Sequence, residues 1–205
     1  MFITRTRLTI AALASGALLF AAGCGDDSDS MSGMDHGAAS STTAAATSAA
    51  RTDFNNADVT FLQMMYPHHA QAVEMAKLVP SHTENPQLRA LAAEVEKAQA
   101  PEMEQISTLL QSFGKPAPTA GGGHEGHGMP GMMSAEQMTA LQAASGPAFD
   151  EMWLEMMIEH HTGAIDMAKT ELADGVNPDA QALARAVIAA QEAEIATMRG
   201  MLGQN

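Results

Sequence analysis

The chain has 205 residues, 46% of them hydrophobic, and a formal net charge of −14 at pH 7. This acidity excludes nucleic acid as a partner and gives the chain no attraction to anionic lipid surfaces, because like charges repel. Seventeen methionines accompany one tryptophan and one tyrosine. Methionine is both an adaptable core filler and a soft metal donor, so the positions of these residues decide between the two roles.

Residues 1–23 predict a signal peptide. Arg5 and Arg7 precede an apolar run, 8–22, that is too short for a comfortable membrane span and ends in small residues before Cys24. This ending resembles a bacterial lipobox, which implies cleavage before Cys24 and lipidation of its thiol; an ordinary signal peptide is the alternative. We therefore expect an exported chain, anchored through lipid at the outer face of the cytoplasmic membrane or in the cell envelope. Residues 24–52, rich in Ser, Ala, Thr and Gly, read as its flexible tether.

Residues 53–205 contain an internal duplication. Residues 58–110 align without a gap with 150–202, at a constant offset of 92, and about twenty positions are identical. Each repeat reads as two helices, the second beginning at Asn85-Pro86 or Asn177-Pro178, because Asn caps free N–H groups and Pro fits a first turn. Two helical hairpins predict an all-α, antiparallel four-helix bundle. Its parts are repeat one (53–113), a His/Met-rich linker (114–133) and repeat two (134–205), which a short capped helix after Ser134 opens.

The first helix of each repeat carries histidine and methionine on its apolar face. At ~100° per residue, Met64, Met65, His68, His69 and Met75 share one arc of the first helix, while Glu74 and Lys77 lie outside it. Buried histidines need partners, because an unpaired buried polar group costs ~1–3 kcal/mol. The second repeat reproduces the arc with Met156, Met157, His160, His161 and Met167.

The second helix of each repeat supplies polar side chains to an otherwise apolar stripe. These are Gln99 and Glu102 in the first copy and Gln191 and Glu194 in the second. A carboxylate or amide that accepts the free ring N–H of a metal-binding histidine is a common way to orient the ring. We predict that role for all four residues.

The donor types favour copper. Thioethers are soft and favour Cu(I) and, by the same logic, Ag(I), while imidazole accommodates either oxidation state of copper. The inward Glu-x-x-His pattern of di-iron carboxylate bundles is absent from the sequence. Methionine at helical spacing is also common in plain cores, so a metal-free reading stays open. In the linker, Gly and Pro argue against a packed core, and its donors would capture a cation and pass it on: His124, His127, Met129, Met132 and Met133.

The doubled pattern Met-Met-x-x-His-His-x-x-Ala-x-x-Met-Ala, with Gln-x-x-Glu in the following helix, resembles the domain of unknown function 305 family over about 53 to 204. The resemblance implies a ferritin-like four-helix bundle and an exported protein, and some members bind copper in the periplasm. It therefore supports copper at His68, His69, His160, His161 and their neighbouring methionines. Pro67 and Pro101 depart from the pattern in the first copy, so the two copies need not bind equivalently.

These features predict a binding protein, not an enzyme, that sequesters or shuttles copper and passes it to an unidentified partner. One alternative is a metal-dependent oxidase of Cu(I) or Fe(II) that draws carboxylates from Asp58, Asp150, Glu102 and Glu194. Another is a structural envelope bundle whose polar network fixes helix register without metal. If the two His-His pairs face each other across the bundle, one shared site is expected; if they lie at opposite ends, there are two.

Overall fold

The computed structural model describes residues 51–116 and 129–204, and the regular elements within these ranges are α-helices. The predicted all-α bundle is confirmed, as is the short helix that opens the second repeat. The signal peptide, Cys24 and nearly all of the tether lie outside the described residues, as do His124 and His127. The helices are α1 (Asn56–His82), α2 (Pro86–Ser112), α3 (Ala135–Ala143), α4 (Gly146–Asp174) and α5 (Pro178–Met201).

Asparagine and serine caps set the starts of four helices. The Asn85 and Asn177 side chains each accept two backbone N–H groups, and Pro86 and Pro178 occupy the first turns of α2 and α5. Ser134 forms a capping box with Gln137 at the start of α3. Because the caps recur 92 residues apart, the two hairpins begin their second helices at equivalent positions.

The bundle is assembled from two hairpins. Helix α1 packs along α2 and α4 along α5, and the hairpins meet mainly through α1 and α4. Helices α1 and α2 are not interrupted at their internal prolines, Pro67, Pro80 and Pro101. In the ranges that the structure describes, no helix combines the length and apolar character that crossing a membrane requires.

Two hydrophobic clusters divide the core. The Phe61 cluster is built around Phe61, Leu62, Leu110 and Val187, and the Trp153 cluster around Val79, Leu88, Phe149 and Trp153. Every long helix contributes to both clusters and carries polar residues between its two contributions. A polar layer therefore crosses the bundle at mid-height, between two apolar halves.

The duplication shows in how the clusters are built. Phe61 and Leu62 of the Phe61 cluster are the repeat equivalents of Trp153 and Leu154, which lie in the Trp153 cluster. The repeats are therefore related by an approximate two-fold axis through the middle of the bundle, which exchanges its two ends. Positions at which the two repeats differ therefore indicate a structural or functional role at one end of the bundle that the other end does not have.

Candidate metal centre

Four histidines lie in the polar layer. His68 and His69 of α1 and His160 and His161 of α4 are all 0% exposed. The rings of His68 and His160 face each other across the contact between α1 and α4, with their centroids 3.7 Å apart. Those of His160 and His161 are 6.3 Å apart. The two His-His pairs thus meet in one cluster, the histidine layer, and this is the arrangement in which a single shared site is expected.

Two histidines of the layer are held by carboxylates from the second helix of their own repeat. Glu102 Oε2 lies 2.6 Å from His69 Nε2, and Glu194 Oε2 lies 2.6 Å from His161 Nε2. Both carboxylates are mostly buried, with side chains 19% and 17% exposed. Since a carboxylate only accepts, Nε2 of each ring carries a proton, and Nδ1 is the nitrogen left to bind a cation. These are the positions that the sequence analysis assigned to Glu102 and Glu194.

The two facing histidines have fewer partners. His68 Nε2 donates to the backbone carbonyl of Pro130 at 3.1 Å, which again leaves the lone pair on Nδ1. Neither nitrogen of His160 has a hydrogen-bond partner among the described residues, and Nδ1 of the other three layer histidines also has none. Five buried imidazole nitrogens are thus unpaired, at a cost of ~1–3 kcal/mol each. A bundle built for stability alone gains nothing from this arrangement.

The environment keeps the facing rings uncharged. Burial, and then the positive charge that a protonated neighbour such as His69 adds, lower the pKa of His68 to about 3. Burial, followed by the charges of the other layer histidines, holds the pKa of His160 well below its usual range. Both rings are therefore neutral at physiological pH, and their free lone pairs do not have to lose a proton before they meet a cation.

A short segment of the linker, residues 129–133, crosses the histidine layer; we call it the strap. Gln71 fixes it by two bonds to the Met133 backbone, from Gln71 Nε2 to the carbonyl (2.9 Å) and from the Met133 N–H to Gln71 Oε1 (2.8 Å). At the strap's turn, Gly131 has a φ of +75° and lies against the backbone of α4, where a Cβ on Gly163 would overlap the Pro130 carbonyl. Gln71 and Gly163 are repeat equivalents, so the same position in each hairpin accommodates the strap.

Six methionines flank the histidine layer, three on each side. Within the described part of the chain, no three His, Cys, Asp or Glu side chains are arranged to hold a metal ion by themselves. A cation in the layer would therefore depend on imidazole nitrogen completed by thioether sulfur, a donor set that suits Cu(I) or Ag(I) better than hard cations. Met64, Met65 and Met167 lie on the Phe61 side, and Met75, Met156 and Met157 on the Trp153 side.

Three residues behave differently from the sequence expectation. Gln99 and Gln191 are buried in the layer (both 2% exposed), but neither Gln99 Oε1 nor Gln191 Oε1 accepts a hydrogen bond from any described residue. The sequence predicts that Met133 is a free metal donor, because Gly and Pro in the linker argue against a packed core. It is instead 5% exposed and belongs to the Trp153 cluster, because the Gln71 clamp draws the end of the linker against the bundle. Met129 and Met132 are half-buried in the same strap.

Sequence reasoning missed the strap and one buried carboxyl group. Glu171 is 1% exposed, and its carboxyl group is hydrogen-bonded to the side chain of Asp58. Its repeat equivalent is Val79, a core residue. A comparison of the two copies position by position would have found Glu171, because a charged residue replaces valine there on a helix face that is otherwise apolar.

The comparisons with known proteins agree with this architecture. The model of the domain of unknown function family DUF305 matches residues 58–202. A DUF305 protein from Streptomyces coelicolor, described as secreted, is 31% identical, with a TM-score of 0.66 over 72% of this chain and 93% of that one. A DUF305 fragment from Deinococcus radiodurans is also 31% identical, with a TM-score of 0.66 over 74% of this chain and 98% of the fragment.

CopM in its Cu(II)-bound form is 34% identical, with a TM-score of 0.62 over 70% of this chain and 94% of CopM. CopM structures with Cu(I) and with Ag bound match the chain as well. A search of curated proteins finds no match.

Proposed function

The chain belongs to the DUF305 family, and from its histidine layer we propose that it is a metal-binding protein that holds copper, as Cu(I) or Cu(II), between its two hairpins. The observation that carries the proposal is the set of five imidazole nitrogens that find no partner among the described residues, in a layer whose rings are 0% exposed. Because such nitrogens destabilise the metal-free fold, their presence is best explained by a ligand that pairs with them.

The ligands that we assign to this site come from both repeats. His68, His69, His160 and His161 would supply nitrogen, and the thioethers closest to them along the helices would supply sulfur. Glu102 and Glu194 would orient two of the rings through the bonds described above. We assign the flanking sulfur to Met65, Met75, Met156 and Met157, which are at most 8% exposed.

The metal follows from the donors and from the relatives. Imidazole and thioether together favour Cu(I), and imidazole alone supports Cu(II). CopM, a structural relative at 30 to 34% identity, has been solved with Cu(I), Cu(II) and Ag bound. A buried site admits a monovalent soft cation at a smaller desolvation cost than a divalent hard one.

Binding is favoured over oxidase chemistry because two of the four candidate carboxylates are committed outside the histidine layer, and the other two already accept from His69 and His161. Asp58 Oδ1 accepts the backbone N–H groups of Val176 and Asn177, and Asp150 Oδ2 accepts from Asn85 at 2.9 Å. Both aspartates therefore hold the ends of the hairpins together. We propose that the protein sequesters or shuttles copper without turning over a substrate.

The proposed setting is outside the cytoplasm. A relative described as secreted matches along 93% of its length. The sequence features of residues 1–24 add a signal peptide and a lipid anchor at Cys24 to this proposal. Copper bound by the protein would not be free to react with the cell envelope. His124 and His127 of the linker would be further donors that capture the ion.

The test is a Cu(I) titration of residues 51–205 against a competing chelator. We expect binding tighter than micromolar, lost when all four layer histidines are changed to Ala and retained in His82→Ala, whose histidine lies outside the layer. Thermal unfolding supplies a second readout, because a ligand of the native state raises the melting temperature. Equal affinities of the two variants, or a melting temperature that copper leaves unchanged, would reject the proposal and favour a purely structural polar layer.

A further inference from the structure

A pocket of about 440 Å³ opens between α1 and α4 beside the Phe61 cluster. Its lining includes the sulfur-bearing side chains of Met64 and Met167 and the strap residue Pro130. Met64 is half-buried, and Met167 is 7% exposed. The pocket thus places two thioethers near the surface, next to the residue whose carbonyl holds His68.

Acidic side chains line the same pocket. Asp166 is exposed to solvent, and Glu171 is 1% exposed. Burial, then a side-chain hydrogen bond with Asp58 and the charge of that neighbour, raise the pKa of Glu171 to about 8. Glu171 is therefore an uncharged, polar part of the lining at neutral pH, and Asp166 is the carboxylate at the mouth of the pocket.

The approximate two-fold axis shows that this pocket belongs to one end of the bundle. At the other end, helix α3 lies over α1 and α4, and its Met138 and Leu141 are part of the Trp153 cluster. The equivalent of Glu171 at that end is Val79, which is fully buried. One groove between α1 and α4 is therefore filled by α3 and closed with valine, whereas no described residue fills its equivalent, which carries a carboxyl group.

We propose that the pocket lined by Met64, Met167 and Glu171 is an outer binding site for a soft monovalent cation, through which copper or silver reaches the histidine layer. This inference rests on the proposed function. Two thioethers select a soft ion, and the exposed carboxylate of Asp166 attracts cations to the mouth of the pocket. The apolar remainder of the lining disfavours strongly hydrated divalent ions.

The passage from the outer site to the layer runs past the strap. Pro130 lines the pocket, and its backbone carbonyl accepts the His68 Nε2–H. An ion that leaves the two thioethers therefore meets the strap before it meets an imidazole. Release of that single 3.1 Å bond, or rotation of the His68 ring, gives the ion access to nitrogen.

The experiment follows Ag(I) uptake from silver nitrate in chloride-free buffer, using the fluorescence of Trp153, the only tryptophan. Trp153 is fully buried in a cluster with Met156 and Met157, so its emission reports ions that arrive in the layer. Stopped-flow mixing compares wild type with Met64→Leu/Met167→Leu, which removes both sulfur atoms and keeps the bulk. Met138→Leu is the matched control, since Met138 is buried at the opposite end.

We expect the double variant to fill the layer at least about tenfold more slowly than wild type, while Met138→Leu fills it at the wild-type rate. Asp166→Asn, at an exposed position, is expected to slow uptake at low salt and to lose that effect at high salt. Equal uptake rates for the double variant and wild type would overturn the outer site and leave the histidine layer standing. Absence of silver binding by wild type would instead overturn the proposed function, and this inference with it.

Discussion

Replacing His160 by leucine should stabilise the metal-free protein. His160 is 0% exposed, and neither of its ring nitrogens has a hydrogen-bond partner in the described structure. Leucine removes both unpaired groups, at ~1–3 kcal/mol each, and a change between side chains of similar volume costs below about 1.5 kcal/mol. A net gain of about 2 kcal/mol is expected, which raises the melting temperature by about 4–8 °C in a domain of this size.

The assay is equilibrium unfolding in urea, followed by circular dichroism, with a copper chelator present throughout. His82→Leu is the control, because both ring nitrogens of His82 have suitable partners: Nε2 donates to the Gln142 carbonyl (3.1 Å), and Nδ1 lies 2.9 Å from the Ser81 hydroxyl. Its replacement is expected to lower stability by about 1 kcal/mol. If His160→Leu also lowers the free energy of unfolding of the metal-free protein, the histidine layer is a structural network, and the argument for a ligand fails.

Three further predictions concern pH and the strap. Because burial holds the folded-state pKa of His68 at about 3, below its ordinary 6.5, the metal-free protein should lose about 1.4 kcal/mol per pH unit from this group as pH falls below 6.5, measured by urea unfolding at several pH values. The pKa of Glu171 is raised instead, so the stability that its proton contributes to the folded state is complete below pH 4.5 and is lost as pH rises to 8. Glu171→Gln should therefore have the same melting temperature as wild type at pH 4 and a higher one at pH 9. Equal melting temperatures at pH 9 would contradict this. Gly163→Ala should displace Pro130 from the layer and cost about 1–3 kcal/mol, seen as a lower melting temperature and faster hydrogen exchange at Gly131, whereas Ala164→Gly tests the helix without touching the strap.

The sequence predicted what depends on local pattern and on the duplication. Helical periodicity placed His68 and His160 on inward faces, and Asn-Pro marked the starts of α2 and α5, because these signals act within a few residues. The pairing of Glu102 with a histidine ring was also predictable, since a carboxylate on an apolar stripe needs a partner.

Contacts between distant segments were not predictable in this way. The strap reaches the histidine layer through Gln71 and the Met133 backbone, 62 residues apart, and the bond is made to backbone atoms, which carry no residue-specific signal. Linker composition therefore suggested a free donor tract up to residue 133. Similarly, the sequence could not show that Gln99 has no hydrogen-bond partner among the described residues, because hydrogen bonding across the core depends on rotamers and register.

The asymmetry between the repeats is the strongest reason to regard this bundle as a ligand-binding protein. A duplicated hairpin could form a bundle with two identical ends, yet α3 covers one end, and Glu171 places a buried carboxyl group at the other. The strap breaks the symmetry again at mid-height, where it pairs with His68, while His160 has no partner in the part of the chain that the structure describes. Packing alone does not require these differences, since valine serves well at the position equivalent to Glu171. A cation that enters from one side and is held between two copies of the same motif does require them, because a route inward must be open at one end and a lone pair must be free where the route ends.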